Sequence, residues 1–594
     1  MPFVTPVTIP WPENAPYDKQ SVAVPGTKRP GQTAHYRNGI WGLVDVHTPK
    51  ALKTVDEIFE TGLAGGRDRP LLGERPILIK NPLKFANHYS WLTYGEVDIR
   101  RRYVGSALLS MFASGQLGGG EFDTVGIWSA NRPVEEYGKA NLAEPIRAKP
   151  ETMASICYTS GTTNNPKGVV LTHANFALSV HSNLYGLELP EDAIIMSYLP
   201  LAHIYERVCE LCVIAVSGKI GYFTGDPLRL LEDAQLLKPN FFPSVPRVLN
   251  RIFQAAMAGG NVPGLKGNLF RKAIQVKLDR LHTTGDPTHF FWDKLVFRKI
   301  QAVLGGQIKL MSSGSAPISP EVMDFLKIAF ACEVTEGQYG MTENCATCAK
   351  TWPNDPTSSG TVGPPQPINE VKLVDVPAMG YTSQDQPNPR GELCVRGANC
   401  FKVYYKDEQN TKETVDNEKW THTGDVAEID SCGRIKIIDR VKNIMKLAQG
   451  EYVALEKIEN MYSSSPVVTQ IYVHGDSLQS YLLAVIIPDT VQLAGIASKV
   501  FGKKVLPEDL PELSSACKDE RVKQEILTSL TKEAKKNGLK GFEMIKRIHL
   551  SLDPFSVDDG TMTPTLKIRR KDAYMKFKAE LDDLYAPGEP SSKL

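Results

Sequence analysis

Tyr158-Thr159-Ser160-Gly161-Thr162-Thr163-Asn164-Asn165-Pro166-Lys167-Gly168 decides how this chain of 594 residues is read. Ile156-Cys157-Tyr158 leads into it and Val169-Val170-Leu171 leads out, so short apolar runs frame a Gly- and Pro-containing loop and predict strand, turn, strand. The hydroxyls of Thr159, Ser160, Thr162 and Thr163, the backbone N–H groups around Gly161 and the Lys167 ammonium form a cradle for phosphate oxygens. It is not a Walker A loop, because Gly168 follows Lys167 where Ser or Thr would stand. A polar surface hairpin is the plain alternative, but an ordinary turn has no need of so many phosphate-competent groups. The loop alone predicts nucleotide binding of undecided class.

The length exceeds what one hydrophobic core serves and predicts two or more domains. An apolar fraction of 42% and a charged fraction of 23% are those of an ordinary soluble protein. Lys plus Arg (68) nearly balances Asp plus Glu (67), so no global field favours nucleic acid or an anionic membrane. Met1-Pro2-Phe3-Val4-Thr5-Pro6 has neither the charged nor the apolar region of a secretory signal. Ten Cys without such a signal predict free thiols in a reducing compartment. The pairs Cys209/Cys212 and Cys345/Cys348 lack supporting His spacing and are read as buried small hydrophobes rather than zinc ligands. Ser592-Lys593-Leu594 closes a Pro/Gly/Ser-rich tail and is a receptor-read peroxisomal address, which predicts a peroxisomal protein.

Residues 1–50, rich in Pro and Gly, are expected as an extended arm. Thr93-x-x-Glu96 has the form of a capping box, and Val104, Ala107, Leu108, Met111 and Phe112 follow at helical spacing until Gly115–Gly120 interrupts. Thr124–Trp128 reads as a buried strand, as do the apolar runs Ile194–Pro200, Val213–Tyr222 and Gln307–Met311. Pro227–Leu237 and Pro320–Phe330 read as helices entered at a proline. Residues 258–290, with many Gly, Lys and Thr, read as a surface excursion. Beyond about residue 440 the chain becomes Lys-rich, with short strands (Gln470–Val473, Leu482–Ile487) between charged helices. This predicts a hinge at Asp439–Lys446. The expected organisation is a large multi-layer α/β domain over 1–440, a small α+β domain over 441–586 and a flexible tail over 587–594.

Four further stretches follow the opening loop in order: Ser313-Gly314-Ser315-Ala316-Pro317, Glu336-Gly337-Gln338-Tyr339-Gly340-Met341-Thr342-Glu343, Trp420-Thr421-His422-Thr423-Gly424-Asp425 and Ile438-Asp439-Arg440-Val441-Lys442. Together the five resemble the adenylate-forming, AMP-binding superfamily. Ala34-His35-Tyr36-Arg37-Asn38, Leu199-Pro200-Leu201-Ala202-His203-Ile204-Tyr205-Glu206 and Leu447-Ala448-Gln449-Gly450-Glu451-Tyr452-Val453 look specifically like long-chain fatty acyl-CoA synthetases of peroxisomal type. The resemblance implies ATP, Mg²⁺ and CoA as cofactor and co-substrates and a fatty acid as substrate. Two anions must meet at the α-phosphorus, so catalysis is positioning and charge compensation.

By the resemblance, Thr159, Ser160, Gly161, Thr162, Thr163 and Lys167 hold the triphosphate. Gly314, Ser315, Ala316, Gly337, Gln338 and Tyr339 form the adenine slot, with Tyr339 stacking. Thr342 contacts the α-phosphate, and Glu343 with Thr162 ligates Mg²⁺. Asp425 and Arg440 hold the ribose hydroxyls. Lys567, in Gly560-Thr561-Met562-Thr563-Pro564-Thr565-Leu566-Lys567, is the lysine that bridges the attacking carboxylate and the α-phosphate. Lys442 is the hinge about which the small domain turns, so 441–594 should dock only loosely. His203 lies near the acyl pocket by the same likeness, with a helix-start or core His as the alternative. The implied partners are the fatty acid, the import receptor that reads Ser592, Lys593 and Leu594, and a membrane surface with which such enzymes associate peripherally; nucleic acid is not among them.

The chain departs from the family twice. Asn164 stands where Gly is usual, and Asn tolerates left-handed backbone. Only residues 134–157 separate the Trp128–Pro133 strand end from the phosphate loop, whereas one βαβ unit takes about 30 residues. Most of one sheet layer is therefore expected to be absent, with apolar surface or strand edges left uncovered. A ligase for an aryl or specialised-metabolite acid and an inactive nucleotide-binding homologue stand as the alternatives.

Overall fold

The computed structural model describes residues 8–118, 125, 139, 142–159, 166–187, 189–190, 192–260, 262–314, 318–441, 444–563 and 566–588, without the side chains of 336–338 and 439. Its strands up to residue 440 are β1 (Ser21–Ala23), β2 (Tyr36–Asn38), β3 (Pro70–Glu74), β4 (Ile77–Lys80), β5 (Leu83–Phe85), β6 (Ser90–Thr93), β7 (Met153–Tyr158), β8 (Gly168–Thr172), β9 (Ile194–Ser197), β10 (Lys219–Tyr222), β11 (Phe241–Ser244), β12 (Leu310–Gly314), β13 (Glu333–Gln338), β14 (Asn369–Val374), β15 (Arg390–Gly397), β16 (Thr421–Ile429) and β17 (Ile435–Arg440).

One sheet runs β13-β12-β11-β9-β10-β3 in parallel, with β6 antiparallel at its edge. Parallel strands are covered on both faces and so read as unbroken apolar runs; all four residues of β11 are buried. The helix Pro320–Phe330 lies where its proline and apolar spacing put it, burying Val322, Phe325, Leu326 and Phe330. The capping box at Thr93 and Glu96 is formed, and the helix it starts runs Tyr94–Ala113. Val213–Tyr222 is not one strand: the helix Ile204–Ala215 runs into it, Ser217 turns at φ 59°, and β10 follows. Residues 258–290 are no surface excursion either. They hold the helix Leu265–Thr284, which buries Phe270, Ala273, Lys277 and Leu281 at helical spacing inside a polar composition.

A second, antiparallel sheet is ordered β1-β2-β14-β15-β16-β17. The expected arm thus supplies two strands: Tyr36 pairs with Val371 of β14, and the Arg37 guanidinium binds Glu370. Three-residue strands carry too little periodicity to be seen before their partner is known. β7 and β8 form the predicted ribbon, from Met153 opposite Thr172 to Tyr158 opposite Gly168. Among the described residues β8 is the one strand beside β7. The strand expected at Thr124–Trp128 falls outside the described residues except for Val125, which is exposed and in no strand.

After residue 441 come β18 (Ile444–Lys446), β19 (Tyr452–Ala454), β20 (Val468–His474), β21 (Leu482–Pro488) and β22 (Ile545–Leu550). β21 pairs antiparallel with β20 and parallel with β22. Charged helices close over them, around a core of their own that includes Leu482, Ile486, Ile526 and Leu530. Gln254 donates to the Ser463 and Ser465 carbonyls (3.3 Å each), and Arg247 meets the Met562 sulfur at 3.2 Å. All ten cysteines are free thiols, nine of them buried. Among the described residues no helix is long and apolar enough to cross a membrane.

Candidate active site

The carboxyl ends of parallel strands form the edge where an α/β sheet takes its ligands. β12 ends there at Gly314 and β13 at Gln338, and these two residues are register partners. A Cβ on Gly314 would stand 2.9 Å from the Tyr205 ring. Tyr205, on the helix Ile204–Ala215, also hydrogen-bonds the Ser312 hydroxyl at 2.9 Å. The close approach that glycine permits here is made, on this face of β12, by a side chain of the protein. Gly337 and Gln338 lie in β13; Ser315 and Ala316 are outside the described residues.

Asp425 and Arg440 face each other in register across β16 and β17, and Arg440 Nε donates to Asp425 Oδ1 at 3.1 Å. The Tyr339 hydroxyl, one residue beyond β13, donates to the other oxygen, Asp425 Oδ2, and so ties the two sheets together. Asp425 raises the Arg440 pKa. Burial, then the Asp425 charge, pushes the Tyr339 phenol well above its ordinary value.

Thr342 and Glu343 sit in the turn Thr342–Asn344 that follows β13. Glu343 is 7% exposed, and its Oε1 accepts from the Tyr404 hydroxyl at 2.6 Å. Burial raises its pKa, opposed by that hydrogen bond and by the charges of Lys167 and Arg440. Lys167 Nζ stands 4.9 Å over the Tyr404 ring, so Tyr404 links the phosphate-loop cation to the acid. A carboxylate oxygen is the donor type a hard divalent ion takes, and a cation beside it would offset the burial that disfavours the ionised form, so Glu343 fits Mg²⁺. The neck of the loop is closed by the Thr159 N–H to the Lys167 carbonyl (2.9 Å) and the Lys167 N–H to Thr159 Oγ1 (3.3 Å). Ser160, Gly161, Thr162 and Thr163 lie outside the described residues, as do Lys442, Ser592, Lys593 and Leu594.

Lys567 stands on a tight turn of the C-terminal unit. The Thr563 N–H donates to the Lys567 carbonyl (2.8 Å), the Lys567 N–H to Thr563 Oγ1 (3.1 Å), and Leu566 takes φ 63°. Burial, then Arg440, pulls the half-buried ammonium down to about 8, against the opposing charges of Glu456 and Asp425. His203 caps the helix Ile204–Ala215, its Nδ1 accepting from the Tyr205 N–H at 3.2 Å. Burial, helped by the charge of Lys567, brings its pKa down to about 4. Residues spread from 203 to 567 therefore share one electrostatic site. Tyr404 and Glu456 belong to it as well, and nothing in their local sequence marks them.

Residues 129–405 match the family described as AMP-binding enzyme. The chain is 45% identical over 449 residues to "Long chain acyl-CoA synthetase 6, peroxisomal" of Arabidopsis thaliana, a match covering 75% of this chain and 63% of the relative. It is 44% identical over 457 residues to "Long-chain-fatty-acid--CoA ligase 5" of Rattus norvegicus, covering 76% of this chain and 65% of the relative. The chain thus spans a little under two thirds of the length of these curated relatives. Among solved structures, the adenylation domain of a carboxylate reductase from Mycobacterium chelonae superposes with TM-score 0.70 at 24% identity, covering 91% of this chain and 92% of that one. The two-sheet architecture with its smaller C-terminal unit is accordingly the fold of that adenylation domain, and residues 129–405 are similar to the AMP-binding enzymes.

Proposed function

We propose that the chain is an ATP-dependent long-chain fatty acid–CoA ligase acting through an acyl-adenylate. The observation that carries the proposal is the convergence of Lys567 with the Asp425–Arg440 pair beside the carboxyl edge of the parallel sheet. The likeness to long-chain ligases supports the acid's class. The acid's carboxylate oxygen attacks the α-phosphorus, forming the acyl–phosphate bond and releasing pyrophosphate; the CoA thiol then attacks the acyl carbon and AMP leaves.

In this reading the loop from Thr159 to Lys167, including Ser160, Gly161, Thr162 and Thr163, holds the triphosphate. Gly314, Ser315, Ala316, Gly337, Gln338 and Tyr339 border the adenine, Asp425 and Arg440 take the ribose hydroxyls, and Thr342 contacts the α-phosphate. Glu343 with Thr162 would hold Mg²⁺, which neutralises phosphate charge. Lys567 draws the two anions together, and rotation at Lys442 then withdraws it. Peroxisomal location through Ser592, Lys593 and Leu594 with an import receptor, and peripheral contact with a membrane, are part of the proposal.

The test is palmitate-dependent exchange of labelled pyrophosphate into ATP. Exchange is expected, and Lys567→Ala should lower it by about a hundred-fold or more, the scale of losing one pre-organised charge partner of the transition state. ATP binding without exchange, from monodisperse protein, would support an inactive nucleotide binder; preference for an aromatic acid over palmitate would overturn the long-chain claim.

A further inference from the structure

Asp425 is aimed by an irregularity in its sheet. Glu392 of β15 pairs with Val426 of β16, and Cys394 pairs with His422. Between these pairs β15 has one residue, Leu393, whereas β16 has three: Thr423, Gly424 and Asp425. The surplus bulges out of the ladder with Gly424 at φ 70°, and a bulge re-aims side chains while leaving backbone groups unpaired. Those groups are met by side chains. Glu392 Oε1 accepts from the Gly424 N–H (3.1 Å), and Thr423 Oγ1 donates to the Leu393 carbonyl (2.7 Å) while accepting from the Asp425 N–H (3.1 Å). Glu392 Oε2 is held in turn by His422 Nδ1 at 2.9 Å.

We propose that Glu392 and His422 form an ionic clamp that fixes the Thr423–Asp425 bulge and so positions the Asp425 carboxylate for the ribose. Both are positioning residues; neither needs to touch the nucleotide. Glu392 has one oxygen on the bulge and one on the imidazole, so the ion pair adds to the hold of Thr423 Oγ1 and of the Val441 N–H on the Gly424 carbonyl (2.8 Å). The assignment rests on the ribose role given to Asp425 above.

The groups facing His422 are Glu392 and Cys394 on β15, Asp416 (3.9 Å from Nε2) and Lys372 of β14. The hydrogen bond to Glu392 raises its pKa, with Asp416 adding and burial and Lys372 opposing. The imidazolium is therefore the favoured form of the clamped ring, and its deprotonation at rising pH removes the ion pair and weakens the clamp. Glu392, Cys394 and His422 also lie close enough to share a metal ion. Both Glu392 oxygens are already engaged, however, and burial with the Glu392 charge keeps the Cys394 thiol protonated. A thiol in that state is a poor ligand.

The experiment measures binding of a fluorescent ATP analogue and of its 2′-deoxy counterpart to the full chain between pH 6 and 9, alongside KM and kcat for ATP in pyrophosphate exchange. Glu392→Ala and His422→Ala should weaken ATP binding by about ten-fold, the scale of one charge-assisted hydrogen bond, with kcat changed far less. The preference for ATP over 2′-deoxy-ATP should collapse toward unity. In His422→Gln, whose amide donates at any pH, the preference should be largely restored and its decline with rising pH should vanish. Unchanged 2′-deoxy discrimination in folded Glu392→Ala, or an unchanged pH dependence of that discrimination in His422→Gln, would overturn the clamp. Stoichiometric zinc in the purified protein, lost in Cys394→Ser, would overturn it in favour of a metal site. Because nucleotide binding is read directly, a failure of palmitate-dependent exchange would count against the ligase reading and leave the clamp to be judged on its own.

Discussion

Lys567 keeps its ammonium where burial and the Arg440 guanidinium both disfavour it, with a pKa lowered to about 8. The role proposed for it requires the protonated form, since only a cation can join a carboxylate to a phosphate. The kcat/KM for ATP in exchange should therefore fall as pH rises through about 8. That limb should persist in His422→Gln and disappear in Lys567→Arg, whose guanidinium stays charged. The lysine could be proposed from Thr563-Pro564-Thr565-Leu566-Lys567 because the residue types themselves carry the likeness. The left-handed Leu566 beside it was not, because a leucine gives no hint of φ 63°. Likewise Asp425 could be named from its motif, but Glu392, which supports it from another strand, could not, because nothing near residue 392 distinguishes a bulge-filling acid from a solvated one.

The β7–β8 ribbon that carries the loop proposed to hold phosphate would be marginal in water by itself; Cys157, Val169 and Leu171 anchor it in the core, and β8 exchanges backbone hydrogen bonds with residues 403–405. Arg207 tethers it: Nη1 donates to the Ser155 hydroxyl at 2.8 Å, while Nε donates to the Leu201 carbonyl. Arg207→Leu should speed amide exchange across 153–172 and raise KM for ATP by several-fold, with exchange in β20–β22 unchanged. The helix Tyr94–Ala113 offers a contrasting case, where the local code suffices. Its Thr93–Glu96 capping box was readable and is formed, and Thr93→Ala should lower the free energy of unfolding by about 1 kcal/mol in a denaturant titration. The helix Leu265–Thr284 escaped notice because Gly, Lys and Thr between its apolar positions dilute the spacing that would reveal it.

Over the whole molecule, the order of five short motifs revealed the fold: three lie at the ends of β12, β13 and β17, one opens β16, and one stands between β7 and β8 of the separate ribbon. How the sheets are assembled stayed hidden, because strand pairing over long distances leaves no trace in local composition. The antiparallel sheet is the extreme case: Arg37 grips Glu370 from 333 positions away. This pairing has a consequence for biosynthesis. A ribosome adding about 5–20 residues per second needs roughly 15–70 s to travel from β2 to β14. For that interval the first two strands of the nascent chain have no sheet to join, and a chaperone that shields the emerging segment would protect the same edge that later pairs with β14.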